Sequence, residues 1–216
     1  MSRKSTLLTL VAMLTLLFCA VGASASDVLY TTLGPGGEYD TASGYYVDGS
    51  NFNNQVLALP FIPSQTENMV DAVLALAHFT GNNNAVSAYL ATDNGGEPGS
   101  ILATLTQQGT IQELPGSLIT FNCNSCGTVN AGTTYWVIAQ QTDPGTQQGW
   151  MFAYQDQSGH GAFNQIGSNN GPWNQYDATI SGFRVDGGQV PEPGTLVMLG
   201  SGIVAAAAGL RRKFNF

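Results

Sequence analysis

Short apolar runs, separated by clusters of Gly, Asn, Pro and Ser, recur along the middle of this chain of 216 residues. Val86–Leu90 alternates apolar and polar residues, turn-forming residues fill 92–99, and apolar residues return at Ile101–Leu105. Alternation with a period of two indicates a strand, and two strands joined by such a cluster indicate a hairpin or a tight corner. Further strands are expected at Leu118–Phe121, Thr133–Gln140, Trp150–Tyr154 and Ile180–Val185.

One apolar run is open to two interpretations. Val73–Ala77 has good helix propensity, yet it lies between Pro63 and the turn cluster at 81–84. A fully buried strand fits the same length, and we favour the strand. No long stretch has helical periodicity. The chain instead contains about eight candidate short strands, and this pattern predicts an all-β fold. We expect a single two-sheet β-sandwich with one core over residues 26–189.

The first residues have the layout of an export signal. A basic start is followed by an apolar run over 7–21 and then by Ala23 and Ala25, which have the spacing that signal peptidase accepts. This order predicts a signal peptide over 1–25, cleaved after Ala25. An uncleaved N-terminal anchor is the alternative, although the apolar run is short for a spanning helix.

The last residues, 190–216, also contain an apolar segment and a basic cluster, but here the basic cluster follows the apolar segment. A Pro-Glu-Pro triplet precedes an apolar segment over 195–210, and a basic tail at 211–213 follows it. At about 1.5 Å per residue the apolar segment spans roughly 24 Å as a transmembrane helix, which is somewhat short for the core of a bilayer. The basic tail would stay in the cytoplasm under the positive-inside rule.

This C-terminal region resembles the PEP-CTERM sorting signal of Gram-negative bacteria. The triplet, the apolar segment rich in Gly and Ala, and the basic end occur in the required order. The resemblance implies recognition by an exosortase, cleavage near the triplet and release to the cell surface or exopolysaccharide matrix. Contact with the membrane would then be transient, whereas a plain tail anchor is the alternative. The residues expected to carry sorting are Pro191, Glu192, Pro193, Arg211 and Arg212.

Three internal segments resemble the choice-of-anchor bacterial surface domains, in particular type R. They are 58–64, 87–99 and 129–136, which occur in this order within the stretch 28–186. The resemblance implies a jelly-roll-like sandwich on the cell surface with no established enzymatic activity. It offers no functional residue to carry over.

Charge narrows the choice of partners. Between Asp27 and Gln189 the chain has one basic residue, Arg184, against thirteen carboxylates, a formal charge of −12. Because binding to phosphates needs clustered Lys and Arg, nucleic acid is excluded as a partner. A lysine nucleophile is excluded from the same stretch.

Cys123 and Cys126 lie close enough in sequence to form a small disulfide ring outside the cell. A redox motif would normally open a helix beside a thioredoxin-like strand, and a zinc site would need two further ligands. Both remain alternatives. His78 and His160 are isolated in sequence, and no metal site is predicted.

No catalytic motif is present in the chain, and no enzymatic activity is expected. His78 ends an apolar strand, where a tucked or edge position is expected, and His160 lies in a predicted loop at 158–161. A nucleophile elbow of the form Gly-x-Ser-x-Gly does not occur. A glycoside-acting enzyme stays as a further alternative, because it needs only two suitably spaced carboxylates.

Seven carboxylates lie mostly in loops rich in Gly and Asn, where oxygen ligands for Ca²⁺ would converge. No Asp-x-Asp-x-Asp loop occurs, so no cofactor is predicted. Calcium is the alternative to a solvated acidic surface. The seven are Asp40, Asp48, Asp93, Glu97, Asp143, Asp156 and Asp177.

Trp150, Trp173 and Tyr176, with neighbouring Asn and Gln residues, are candidates for a sugar platform. Aromatic faces stack on pyranose rings while amides bind hydroxyl groups. Ordinary packing is the alternative, and Trp136 is expected in the core.

The sequence thus predicts an exported protein with a structural or adhesive role at the surface or in the exopolysaccharide matrix. A carbohydrate-binding module of that matrix, with or without calcium, is the alternative.

Overall fold

The computed structural model describes residues 26–82 and 84–188, so the predicted signal peptide at 1–25 and sorting segment at 190–216 lie outside it. The described part holds 13 β-strands, two single 3₁₀ turns at Pro35–Gly37 and Tyr154–Asp156, and no α-helix. Nor does this part contain a helix of the length and apolar character that a membrane span requires. The strands are β1 (Asp27–Thr31), β2 (Gly44–Asp48), β3 (Val56–Phe61), β4 (Glu67–Thr80), β5 (Ser87–Asp93), β6 (Pro98–Gln108), β7 (Ser117–Asn122), β8 (Thr128–Val129), β9 (Tyr135–Gln140), β10 (Gln147–Met151), β11 (Ser158–Asn164), β12 (Asn174–Thr179) and β13 (Phe183–Gly188).

Antiparallel pairing joins these strands in one open sheet that folds over itself into two layers. The first layer follows the order β1-β13-β4-β7, with β8 and β10 also paired to β4 and β2 paired to β10. The second layer follows the order β5-β9-β3-β11-β12. Strand β6 joins the layers, because its first part pairs with β5 and its last residues, 106–108, pair with β7.

The core lies between the two layers. Ala72, Leu74 and Leu76 alternate along β4 and are fully buried in one cluster with Leu57 of β3 and Val137 of β9. Each large apolar side chain that is buried in this way contributes about 1.5–3 kcal/mol to folding. The period of two along β4 therefore explains how the first layer packs on the second.

The all-β prediction is confirmed, and the run Val73–Ala77 lies inside strand β4 as predicted. The predicted hairpin is also present, as the antiparallel pair of β5 and β6. These two regions have the strongest local patterns, one of continuous apolar residues and one of alternation around a turn cluster.

Two local predictions are wrong. The strand expected over Trp150–Tyr154 ends at Met151, because the chain turns through a 3₁₀ segment in which Gln155 has a φ of 58°. The loop expected around His160 is part of β11, which pairs with β3 and β12. The glycines beside His160 suggested a loop, but Gly161 instead leaves room for the ring of Tyr176 across the strands.

Candidate functional site

The turn that joins β5 to β6 borders two clefts, and Asp93 at the end of β5 lines both of them. The first, which we call the polar cleft, has a volume of about 470 Å³. The second, which we call the apolar cleft, has a volume of about 400 Å³. Both volumes fall in the range of small-ligand sites, about 300–1,000 Å³. The turn is therefore the centre of the candidate site.

The Asp93 carboxylate organises this turn. It accepts the backbone N–H groups of Gly95, at 3.1 Å, and of Gly96, at 3.3 Å. Both glycines have a φ in the left-handed region, 71° and 93°, where a residue with a Cβ is strained. Asp93 Oδ1 also accepts the indole N–H of Trp136 on β9, at 2.8 Å. One carboxylate thus closes the turn and attaches it to the sheet.

His160, on β11, holds the same turn from another direction. Its Nε2 lies 2.8 Å from the carbonyl oxygen of Gly96, and its Nδ1 lies 3.0 Å from Oδ1 of Asp177 on β12. Because both partners are acceptors, the ring satisfies both only as an imidazolium, which donates from each nitrogen. The Gly96 carbonyl raises the pKa of His160, the Asp177 carboxylate adds to this effect, and burial acts in the opposite direction.

The polar cleft combines hydrogen-bonding side chains with one aromatic ring. That ring belongs to Trp173, which follows a cis Gly171–Pro172 peptide and packs against the cluster that contains Trp136. The Nε1 atom of Trp173 is buried and has no hydrogen-bond partner among the described residues. The cleft is lined by Thr92, Asp93, Asn94, Glu97, Pro98, Gly99, Ser100, Asn170, Pro172 and Trp173.

The apolar cleft borders the same turn at Asp93 and Gly96. Its lining includes the rings of Tyr30 and Phe61, which are 6.1 Å apart between centroids, and the side chain of Ile62, which is 51% exposed. His160 and Asp93 supply polar atoms at its border with the turn. The full lining is Tyr30, Pro60, Phe61, Ile62, Asp93, Gly96, Thr134, Trp136 and His160.

The three aromatic residues that the sequence suggested as a sugar platform lie in different surroundings. Trp150 is fully buried in the main core and donates its indole N–H to the Gly182 carbonyl at 3.0 Å, so it is not available to a ligand. Tyr176 packs edge-on against Tyr45, with ring centroids 5.3 Å apart, and burial raises its pKa. Of the three, Trp173 alone lines one of the two clefts.

The carboxylates considered for calcium mostly accept hydrogen bonds from the chain itself. Asp48 is buried and accepts the backbone N–H of Gln55 at 2.7 Å, while Asp143 accepts the N–H of Gly145 and the hydroxyl of Thr146, both at 3.0 Å. Within 26–82 and 84–188, no group of three or more His, Cys, Asp or Glu side chains is arranged to hold a metal ion. These carboxylates therefore serve local turns and strand ends.

A disulfide joins Cys123 and Cys126, whose Cα atoms are 5.6 Å apart. The two residues follow β7 and lie against the main core. His78, which was expected in a tucked or edge position, is half-buried on β4 with its Nδ1 3.0 Å from Nε2 of Gln148. These residues lie in the first layer, whereas both clefts are centred on the second.

Comparison with known families finds a PEP-CTERM protein-sorting motif at residues 189–213. It includes the Pro-Glu-Pro triplet and the basic tail, and it begins directly after β13, which ends at Gly188. No curated protein matches the chain. The motif supports an exported chain that an exosortase processes and sorts to the cell surface.

Sequence reasoning missed the grouping of His160, Asp177 and the turn. These parts come together because β11 pairs with β12 and lies beside the β5–β6 turn, although 64 residues separate Gly96 from His160. The only local signal was the Asp-Asn-Gly-Gly sequence of the turn, which indicates a tight turn and says nothing about its partners.

Proposed function

We propose that the protein is a structural or adhesive component of the cell surface or exopolysaccharide matrix. The observation that carries the proposal is the junction between the sandwich and the sorting motif: β13 ends at Gly188 and the motif begins at residue 189. Cleavage near Pro191 to Pro193 would leave the whole sandwich in the released chain. The resemblance to choice-of-anchor surface domains is part of this proposal.

Processing at the other end fits the same plan. Signal peptidase would cut after Ala25, and β1 begins at Asp27, so the edge strand would remain intact. The apolar segment 195–210 would anchor the chain in the inner membrane only until the exosortase acts. The mature protein would therefore be an acidic sandwich that meets other components of the surface layer.

The proposed role involves contact without catalytic turnover. Both ring nitrogens of His160 face acceptors, which leaves neither free to take a proton from a substrate. The Asp93 carboxylate is occupied by two backbone N–H groups and one indole N–H. These hydrogen bonds hold the site in one conformation, which supports a binding role.

Cell aggregation tests the proposed role. A strain that lacks the protein should aggregate less and should retain less of its matrix than the parent strain. The wild-type chain should restore both properties, whereas a chain with Ala at Pro191, Glu192 and Pro193 should not, because its sandwich would stay in the membrane. Unchanged aggregation and matrix retention in the deletion strain would contradict the role.

Carbohydrate binding in the polar cleft is a second candidate function. The observation that favours it is the placement of Trp173 beside Asn94, Ser100 and Asn170, which combines a stacking ring with groups that bind hydroxyls. Trp173→Ala should weaken saturable binding to glycans by about tenfold or more in a calorimetric titration. Phe52→Ala, which removes a ring that is 42% exposed and outside both clefts, is the matched control.

A further inference from the structure

The two clefts are neighbours that share a wall. Asp93 lines both, and the turn that follows it contributes Asn94 and Glu97 to the polar cleft and Gly96 to the apolar cleft. This wall is fixed before any ligand arrives, because Trp136 and His160 hold it through hydrogen bonds of 2.8 Å each. Preorganisation of this kind lowers the cost of binding. A chain-like ligand that crosses the wall would place one unit in each cleft.

The chemistry of the polar cleft selects a neutral polyhydroxylated unit. Thr92, Asn94, Ser100 and Asn170 provide hydroxyl and amide groups beside the ring of Trp173. Neither cleft is lined by a Lys or Arg side chain, and both ring nitrogens of His160, which lines the apolar cleft, are already bonded to Gly96 and Asp177. Asp93 and Glu97 would repel a carboxylate on the ligand, so acidic sugars are disfavoured.

No Lys or Arg elsewhere in the described chain is free to bind an anionic ligand at the clefts. Arg184, the one Lys or Arg residue in 26–82 and 84–188, lies on β13 in the first layer. Its guanidinium is paired with Asp186, with Nη2 2.7 Å from the carboxylate oxygen. The expected ligand therefore has no net negative charge.

The chemistry of the apolar cleft selects an apolar substituent. Ile62 is 51% exposed at this cleft, beside Tyr30 and Pro60. An unsubstituted sugar ring presents hydroxyl groups to such a surface and gains little by covering it. An acetyl or methyl group would bury the side chain of Ile62 and remove apolar surface from water.

We propose that the two clefts form adjacent subsites for a neutral oligosaccharide that carries acetyl or similar apolar substituents. The polar cleft takes the ring of one unit against Trp173, and the apolar cleft takes the substituent of the next unit against Ile62. This inference rests on the carbohydrate-binding candidate described above and adds the class of sugar and the residue that selects it.

Calorimetric titration of the processed protein with three oligosaccharide probes tests the inference. The probes are cellohexaose, which has no substituents, the hexamer of N-acetylglucosamine, and a hexamer of galacturonic acid. The acetylated probe should bind at least about tenfold more tightly than cellohexaose, the scale of discrimination that an apolar pocket gives. The galacturonate probe should not bind.

Two variants separate the subsites. Ile62→Ser should remove the preference for the acetylated probe and leave the affinity for cellohexaose unchanged. Trp173→Ala should weaken binding of both neutral probes by about tenfold or more, as expected for a buried aromatic contact. Ile166→Ser, at a residue that is 56% exposed and outside both clefts, is the matched control and should change neither affinity.

Three outcomes would overturn the inference, and they can be distinguished. Equal affinity for the two neutral probes, with no effect of Ile62→Ser, removes the second subsite and leaves sugar binding in the polar cleft intact. Tight binding of the galacturonate probe contradicts the selection for neutral sugars. No binding of any probe removes both the inference and the carbohydrate-binding candidate, whereas the aggregation experiment tests the structural role independently.

Discussion

Asp71 on β4 and Asp186 on β13 lie directly opposite each other on neighbouring antiparallel strands. Asp186 is 2% exposed, and its Oδ2 accepts hydrogen bonds from the Arg184 guanidinium at 2.7 and 2.9 Å. Burial, followed by the Asp186 carboxylate, raises the pKa of Asp71 to about 6, while Arg184 acts to lower it. Asp71 therefore holds a proton in mildly acidic solution.

This pair makes the stability of the fold depend on pH. The pKa of Asp71 is higher in the folded chain than in the unfolded chain, where an aspartate titrates near 4, so its stabilising contribution is complete below about pH 4. That contribution is lost as the pH rises through about 6. The free energy of unfolding, measured with urea, should fall between pH 4 and pH 7.

Asp71→Asn should flatten this dependence and stabilise the protein at pH 7, because the amide has no charge to repel Asp186. Asp156→Asn is the matched control, since Asp156 is exposed in the 3₁₀ turn. If the free energy of unfolding of Asp71→Asn depended on pH as it does in the wild type, the pair of Asp71 and Asp186 would not be the cause of that dependence.

His160 should give the β5–β6 turn a second and separate pH dependence. Its pKa is raised in the folded chain, so its contribution is complete below about pH 6.5 and is lost as the pH rises through the folded value. Hydrogen exchange at the Gly95 and Gly96 amides should therefore accelerate above pH 6.5, beyond the intrinsic effect of pH on exchange.

His160→Gln should exchange faster at every pH and lose the additional acceleration, since glutamine does not titrate. His78→Gln, which changes a histidine of the first layer bonded to Gln148, should leave the turn unaffected. Identical exchange in the wild type and in His160→Gln would mean that the ring does not hold the turn.

Gly95 tests the backbone of the same turn. Its φ is 71°, and a Cβ at this position would meet no atom within 4 Å, so Gly95→Ala introduces backbone strain without a steric clash. The expected cost is about 1–2 kcal/mol in the free energy of unfolding. A urea titration measures it.

Gly145→Ala supplies the comparison, because an added Cβ there makes ordinary contacts at 3.7 and 3.9 Å and the φ of Gly145 is not left-handed. This variant should be neutral or slightly stabilising. If both alanine variants were equally stable, the left-handed geometry of the turn would be contradicted.

The pattern of apolar and polar residues predicted those strands whose own sequence shows a continuous apolar run or a clear alternation. The continuous apolar run of β4 and the alternation around the β5–β6 turn are both present where the sequence places them. The aromatic residues show the limit of this reasoning. Consecutive residues of a strand face opposite sides, so Trp150 and Met151 lie on opposite faces of β10, but the sequence could not indicate that both faces are covered.

Burial of Trp150 follows from pairing over long distances in sequence. Strand β10 lies between β2 and β4, so it is an interior strand, and the face that carries Trp150 meets the second layer. The candidate site depends on the same kind of information, because His160 reaches the turn only through the pairing of β11 with its neighbours. Neither the composition of the chain nor the residue types in its turns indicate these contacts.

Sorting through the C-terminal motif is the central claim, and intact mass combined with cell fractionation tests it most directly. The wild-type chain and a variant with Ala at Pro191, Glu192 and Pro193 are compared in the native host. The account predicts a wild-type species that begins at Ser26, ends near the triplet and lies outside the cell, with the variant retained in the membrane. A wild-type chain that stays in the membrane with residues 195–216 attached would contradict the account.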